Sequence, residues 1–266
     1  MRYINSYATS GDVQTALDNG TLGKPYVAYV ESGQYIDWNS NSVTPDYSTI
    51  PLTFEAQSDG AIKWVKYDSG MYDPVTIQYS KNGGAWTNLT NTVTGAEIQV
   101  STGDYVQVKC SNYLQKGFFS STCQFKLYGN IMSLVDGDNF SASTTINNSL
   151  EILFENCTGL TNASNLVLAA TNLSSNCYQY MFAGCTNMTG ATPELPATTL
   201  RQFCYSHLFD GCGINYIKCL AENFYGASSF NDCMGGWVDN IPATGTIVKK
   251  TGVNIITPSG WTVVEI

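Results

Sequence analysis

The phrase CYQYMFAGC at residues 177–185 returns as CYSHLFDGC at residues 204–212. Each copy begins and ends with cysteine and carries an aromatic residue three positions before its last cysteine. Three interpretations compete for such a repeated phrase: a metal site, a disulfide framework and a stacked structural repeat. The choice between them decides the fold of this half of the chain.

An earlier copy of the phrase, LEILFENCTGLT at residues 150–161, fixes the period of the repeat. Aligning the three copies places Phe154, Phe182 and Phe209 at one phase, 28 and 27 residues apart. Three further phases are filled by Leu153, Met181 and Leu208, by Cys157, Cys185 and Cys212, and by Ser149, Cys177 and Cys204. A fixed period of about 20–50 residues with apolar residues in phase is typical of a solenoid. We therefore predict that residues of equal phase stack about 4.8 Å apart.

The cysteines are expected to be buried in this stack, since a free thiol behaves as a small hydrophobic group. The disulfide alternative stays open, because stacked neighbours could approach bridging distance. A column of three cannot pair completely, however, and the chain has nine cysteines, an odd number. Zinc is disfavoured because the spacing within each copy is C-x7-C, and only Cys204 and His207 resemble a ligand pair. We expect no metal and no cofactor.

No catalytic residues can be nominated. His207 is the only histidine, at a phase that Ile152 and Tyr180 occupy in the other copies, and we expect it to be a surface or packing residue. Nothing in the sequence ties it to a particular serine and aspartate. The chain also has no P-loop and no dinucleotide-binding fingerprint. We predict that it is not an enzyme.

Upstream of the repeats, residues 46–130 alternate with period two between turn signals. Candidate strands lie at 52–56, 61–67, 75–80, 85–89, 96–100, 105–110 and 123–129. Seven short strands at this spacing predict an antiparallel, immunoglobulin-like β-sandwich, with Trp64 in its core. Residues 131–266 then form the repeat domain, and its last segment, which leaves the phase, suits a terminal cap.

Residues 1–45 form a third region, too small to hold a core of their own. Ser10 is a plausible N-cap for a short helix at 12–20, followed by a strand at 25–31 and a returning strand, YIDW. One interpretation is an extension folded against the next domain. The other is a partner-docking module, with Tyr26, Tyr29, Tyr35 and Trp38 as the contact residues.

The composition limits the classes of partner. Only 12% of the 266 residues are charged, against about 25% in ordinary domains. The net charge is −9, which disfavours nucleic acid and anionic lipid surfaces. No stretch has the length and hydrophobicity of a membrane span or a secretory leader. A neutral, Asn-, Ser- and Thr-rich surface suits binding to proteins or glycans.

The repeats resemble the BspA-like leucine-rich repeats, in the phrase LxxMFxGCTxLTxAPxLPATTLxxxCYxxMFxGC. The residues that match are Cys177, Met181, Phe182, Gly184, Cys185, Thr186, Pro193, Leu195, Pro196, Ala197, Cys204, Tyr205, Gly211 and Cys212. The first copy departs from the phrase, since Ser149 replaces the leading cysteine and the Pro-x-Leu-Pro element is missing. The tail WVDNIPATGTIVKK…PSGWTVVE resembles the terminal cap of the same family.

The rest of the chain resembles proteins of tailed phages. YSKNGGAWTNLT…STGDYVQVKC…GNIMSL is similar to the β-sandwich that accompanies these repeats in Bacteroidetes and their phages. YINSYATSGDVQTALDNGTLGKPYVAYVESG resembles the N-terminal segment of virion proteins of crAss-like phages, including head fibres.

The resemblance implies a head fibre or capsid decoration protein on the virion surface, assembled in the host cytoplasm. Its N-terminus would dock on the capsid or other virion proteins, and its repeats would bind a host surface glycan or protein. A homo-oligomer is also expected. The alternative is a bacterial BspA-like cell-surface adhesin, which the lack of a recognisable leader disfavours. A glycan depolymerase would need a pair of carboxylates that the sequence does not point to.

Overall fold

The computed structural model describes residues 2–7, 26–30, 34–37, 42–43, 45–67, 74–110, 117–146 and 150–266. The protein is mainly β, as predicted, and its strands form several open sheets. The chain divides into two compact units. The first comprises residues 1–46 with 82–85, and the second residues 47–81 with 86–266.

The first unit contains a four-stranded sheet in sequence order. Its strands are β1 (Arg2–Tyr7), β2 (Tyr26–Val30), β3 (Gln34–Asp37) and β4 (Ser42–Val43). β1 pairs in parallel with β2, and the remaining pairs are antiparallel. The predicted strand at 25–31 and its returning partner are confirmed as β2 and β3. The predicted helix at 12–20 lies outside the described residues.

The second unit opens with an antiparallel region after a 3-10 turn at Tyr47–Thr49. Its strands are β5 (Leu52–Ala56), β6 (Gly60–Lys66), β7 (Thr76–Lys81), β8 (Thr87–Thr90), β9 (Ala96–Val100), β10 (Tyr105–Lys109), β11 (Gly117–Ser121) and β12 (Phe125–Asn130). They form two sheets, in the orders β12-β5-β10-β7-β8 and β11-β6-β9. All seven predicted strands are present within two residues. β11, GFFSS, was not predicted because its adjacent phenylalanines break the alternation.

Aromatic side chains join the two antiparallel sheets. Phe54 of β5 meets Phe119 of β11 edge to face, with ring centroids 4.8 Å apart, and Phe119 lies 4.8 Å from Trp64. Trp64 is fully buried, as predicted, and its Nε1–H donates to the Val75 carbonyl at 2.9 Å. The Trp64 side chain is therefore buried with its one polar group hydrogen-bonded.

The same core continues into the repeats. After helix α1 (Ser133–Asp136) and strand β13 (Thr145–Ile146), strand β14 (Leu160–Val167) pairs in parallel with β12. The Phe119 ring stacks on Phe154 at 5.7 Å, and the Phe119 N–H donates to the Leu153 carbonyl at 2.7 Å. The predicted domain boundary at residue 130 falls within this compact unit.

The repeated phrase forms turns that lie one on another. The backbone N–H of Phe154 donates to the Met181 carbonyl, that of Phe182 to the Leu208 carbonyl and that of Phe209 to the Trp237 carbonyl. The Phe154 and Phe182 rings lie 5.6 Å apart, and those of Phe182 and Phe209 lie 5.7 Å apart, with planes within 9° of parallel. The predicted phase of these three phenylalanines is confirmed. Trp237 belongs to a fourth turn that the sequence did not reveal.

Strands between the turns form two parallel sheets. One has the order β13-β15-β17-β19, with β15 at Asn172–Leu173, β17 at Thr199–Leu200 and β19 at Asn223–Phe224. The other has the order β16-β18-β20-β21, with β16 at Thr189–Ala191, β18 at Gly213–Lys218, β20 at Thr246–Lys249 and β21 at Thr262–Glu265. Helix α2 (Phe230–Met234) leads into the fourth turn.

Left-handed residues explain why the turns stack instead of coiling into helices. Equivalent positions with φ between 51° and 76° are Ile152, Tyr180, His207 and Gly236, and, four residues later, Asn156, Gly184, Gly211 and Asn240. A left-handed residue interrupts right-handed coiling, so the N–H groups are free to reach the next turn. At Gly184 a Cβ would also lie 2.2 Å from the Asn156 Oδ1 atom.

Candidate binding surface

The end of the β13-β15-β17-β19 sheet carries a group of exposed aromatic side chains. Leu200 of β17 pairs with Phe224 of β19, and the Tyr225 N–H donates to the Leu200 carbonyl at 2.8 Å. This pairing brings Tyr225 beneath Arg201, whose guanidinium lies 4.2 Å from the Tyr225 ring centroid. Tyr225 is 63% exposed. A cation over an aromatic face holds both side chains in place without burying them.

Phe203 has an unusual backbone conformation for its side chain. Its φ is 59°, and the equivalent residue in the preceding turn is Asn176, with φ of 64°. Asparagine tolerates the left-handed region, whereas a bulky residue is strained there. The Phe203 ring is also 40% exposed, so packing does not compensate for the strain. Exposed, strained aromatic residues are more often functional than structural.

We call Arg201, Phe203, Phe224 and Tyr225 the aromatic patch. Phe224 occupies the phase that Ile146, Leu173 and Leu200 fill with buried side chains, yet it is exposed and rests edge to face on Phe230, 5.1 Å away. Tyrosine, phenylalanine and arginine are the residue types enriched at binding interfaces. Chemically, the aromatic patch can stack on flat apolar surfaces and offers one cation.

Sequence reasoning missed the aromatic patch. The signal was present as a comparison between turns, since Phe203 replaces an asparagine and Phe224 is the last member of an apolar column. To find the aromatic patch, the segments between the cysteine phrases would also have to be aligned with one another, and the repeat alignment did not cover them.

A pocket of about 330 Å³ lies beside β14. Tyr47, Asn165 and Pro196 contribute to its lining, and the Asn165 Nδ2–H donates to the Tyr47 hydroxyl at 3.1 Å. Among the described residues that line it, Glu194 is the single carboxylate, and its Oε2 lies 2.7 Å from the Lys218 Nζ. This ion pair raises the pKa of Lys218, chiefly through the hydrogen bond that its ammonium donates to Glu194. The pocket therefore offers neutral hydrogen-bonding groups and one paired carboxylate.

His207 is a packing residue, in agreement with the expectation. Its ring stacks on Tyr180, with centroids 4.7 Å apart and planes within 5°. Nδ1 lies 3.2 Å from the Asp210 Oδ2 atom. On the other side a Cβ at Gly236 would come within 2.4 Å of the ring, so the imidazole is covered from both faces.

All nine cysteines are free thiols, and eight of them are buried. In the turns, the Cys185 thiol donates to the Phe154 carbonyl at 3.0 Å and the Cys212 thiol to the Phe182 carbonyl at 3.1 Å. Burial raises the pKa of Cys157 and Cys212 to about 12. Such thiols stay protonated at neutral pH and act as packing groups that cap carbonyls of the preceding turn. No group of three or more potential metal ligands occurs in the part of the chain that the structure describes.

The predicted docking residues fall in the first unit. Tyr26 and Tyr29 lie on β2 and Tyr35 on β3, where Tyr29 and Tyr35 are direct cross-strand partners. Trp38 lies outside the described residues. Their role in docking stays a prediction.

No family model, no curated protein and no solved structure matches the chain. No helix among the described residues combines the length and hydrophobicity that a membrane crossing requires.

Proposed function

We propose that this protein is a non-enzymatic binding protein on the surface of a tailed phage, a head fibre or capsid decoration. In this proposal residues 1–45 dock on the capsid through Tyr26, Tyr29, Tyr35 and Trp38, and the C-terminal half binds the host surface. The observation that carries the binding role is the aromatic patch, because it exposes three aromatic rings and strains one of them.

The proposal includes a finer account of the fold. We interpret the two antiparallel sheets as an immunoglobulin-like sandwich and the stacked turns as BspA-like leucine-rich repeats. Support comes from the Phe54–Phe119 contact between the sheets and from the ladder that runs from Phe154 through Phe182 to Phe209. Support also comes from the parallel strands that each turn contributes to two sheets.

The aromatic patch favours a neutral, partly apolar ligand such as a host glycan or protein. Its one cation, Arg201, is engaged with Tyr225, so a strongly anionic ligand would find little charge to bind. Aromatic rings contribute large contact area at low entropic cost, which suits a surface without a deep cavity. This surface would bind its ligand without changing it chemically.

Two variants test capsid docking and host-cell binding separately. Because residues 47–81 and 86–266 share a core, the C-terminal half is tested by a surface substitution and the N-terminal segment by deletion. Deleting residues 1–45 should abolish co-sedimentation with capsids that lack the protein, and should leave binding to host cells intact. Tyr225→Ser should do the reverse, lowering host-cell binding by about tenfold or more, as for an interface hot spot.

The control for Tyr225→Ser is Tyr67→Ser, which removes a similarly exposed tyrosine from the end of β6 and should leave both activities unchanged. Mass spectrometry of purified phage particles should detect the protein. Its presence on bacterial cells and absence from particles would overturn the virion assignment in favour of an adhesin. Full host-cell binding by the Tyr225→Ser variant would overturn the role of the aromatic patch.

A further inference from the structure

Among the described residues, the β16-β18-β20-β21 sheet ends in a strand with no neighbour on its outer edge. Ile247 and Val248 of β20 are buried, and they pair in register with Val263 and Val264 of β21. Both β21 valines are nevertheless exposed, Val264 to 40%. Because Val263 and Val264 point to opposite faces of the strand, β21 is open on both faces.

The backbone of β21 is also open along one edge. The Thr262 N–H donates to the Gly245 carbonyl at 2.8 Å, and the Ile266 N–H donates to the Lys249 carbonyl at 3.0 Å. In a parallel pair, the backbone groups of every second residue bond to the neighbouring strand, and those of the residues between point the other way. The backbone groups of Val263 and Glu265 therefore face away from β20. Within the described part of the chain, β20 is the only strand that pairs with β21. An exposed apolar edge of this kind is a template for another strand.

We propose that β21 pairs antiparallel with β21 of a second copy, forming a two-fold symmetric dimer. This inference goes beyond the proposed function and does not depend on it. Only the outward-facing groups can exchange hydrogen bonds, and the register that uses both Val263 and Glu265 of each copy forms the most of them. Val263 lies opposite Glu265 of the second copy, and Val264 lies on the two-fold axis opposite its own counterpart.

A second copy fits this edge because the strand is complementary to itself. The register places no like charges directly opposite each other, and it brings Val264 against Val264. The Glu265 carboxylate is already paired with the Lys249 ammonium of its own chain, which holds the pKa of Glu265 below its usual range. Nearby, Lys250 and Glu222 lie 3.8 Å apart. The edge is therefore locally neutral, although the whole chain carries a charge of −9.

Sedimentation velocity of the 266-residue chain across a concentration series tests the dimer. An interface based on one strand pair is small, so we expect a dissociation constant on the order of micromolar. Val264→Lys places two ammonium groups opposite each other on the axis and should make the protein monomeric. The matched control is Val93→Lys, since Val93 is 58% exposed in the turn between β8 and β9, and this variant should remain dimeric.

A crosslink tests the register itself. On the axis, Val264 forms a non-hydrogen-bonded pair with a Cα separation of about 4.5 Å, which a disulfide can span. Val264→Cys should therefore form a disulfide-linked dimer under mild oxidation, and Val93→Cys should not. A parent protein that stays monomeric at all concentrations would overturn the proposal, as would a dimer that Val264→Lys leaves intact. A monomer would leave some other partner as the occupant of β21.

Discussion

Phe54 and Phe182 are both fully buried, but the residues that bury them come from different ranges of the chain. Phe54 contacts Phe119 and Phe154, which follow it by 65 and 100 residues. Phe182 contacts Phe154 and Phe209, one period away on either side. In the antiparallel region each contact is specified separately by strand pairing. In the stacked turns a single period specifies all of them, so neighbouring turns depend on one another.

The two regions also differ in how many thiols they bury. The largest expected effect is therefore a loss of stability at alkaline pH. Cys123 is the one buried thiol of the antiparallel region, whereas the turns and the strands that follow them bury seven. Burial raises the pKa of Cys177 and Cys219 to about 12, from the ordinary value of 9.0. Because the folded pKa is raised, this contribution to stability is complete below pH 9. It is lost as the pH rises from there towards 12.

Each such thiol should lower the free energy of unfolding by about 1.4 kcal/mol per pH unit in that range. Several acting together should exhaust a typical stability of about 5–15 kcal/mol before pH 12. The measurement is denaturant unfolding from pH 8 upward with a reductant present. Cys219→Ala should make the decline shallower by about 1.4 kcal/mol per pH unit. Ile217→Ala, also fully buried, should lower stability without changing the slope, and a flat profile for the parent would contradict the prediction.

The next largest effect concerns the stacked rings. Phe182→Ala should lower the free energy of unfolding by about 3–5 kcal/mol, because it leaves a cavity between Phe154 and Phe209. Hydrogen exchange should also accelerate in the turns at 150–157 and 204–212, since each turn is stabilised by its neighbours.

Tyr225→Ala provides the comparison for Phe182→Ala, and we expect it to cost less than about 1 kcal/mol, because the ring is mostly exposed. If Phe182→Ala cost as little as Tyr225→Ala, the stack would not be the source of stability in this half of the molecule.

The same contrast explains what the sequence could predict. Alternation located the strands of the antiparallel region because one face of each sheet is buried, and it failed for β11, where Phe118 and Phe119 are adjacent. Spacing located the phenylalanine column because Phe154, Phe182 and Phe209 keep a constant phase. The fourth turn was missed since Val238, two residues after Gly236, stands where the phrase would have phenylalanine, and Asn240-Ile241 replaces the Gly-Cys of the second and third copies.

The candidate binding surface was harder to predict than the fold. Exposure is decided by what lies beside a residue. Leu200 of β17 has β19 next to it, whereas among the described residues no strand follows β19, which carries Phe224, in the sheet order. Likewise, a sequence does not show that Phe203 must adopt a positive φ. That becomes visible only when its turn is aligned with the turn of Asn176.

The smallest of the expected effects concerns how the two regions satisfy buried polar groups. In the antiparallel region the Trp64 Nε1–H has the Val75 carbonyl as its acceptor. In the stack the Tyr178 and Tyr205 rings lie 6.2 Å apart, and both hydroxyls are buried without a hydrogen-bond partner among the described residues. Burial first, and then the neighbouring thiols, raise the pKa of both phenols well above the ordinary value.

Tyr205→Phe should therefore stabilise the protein by about 1–3 kcal/mol, because it keeps the ring and removes an unsatisfied hydroxyl. Trp64→Phe should act in the opposite direction, since it removes the indole hydrogen bond to the Val75 carbonyl, which keeps the Asn91 N–H as a donor, and opens a cavity. Chemical denaturation of both variants at neutral pH measures the two changes. A Tyr205→Phe variant less stable than the parent would show that the hydroxyl has a partner after all, such as an ordered water held between the two tyrosines. In that case the stack would satisfy its buried polar groups as completely as the antiparallel region does.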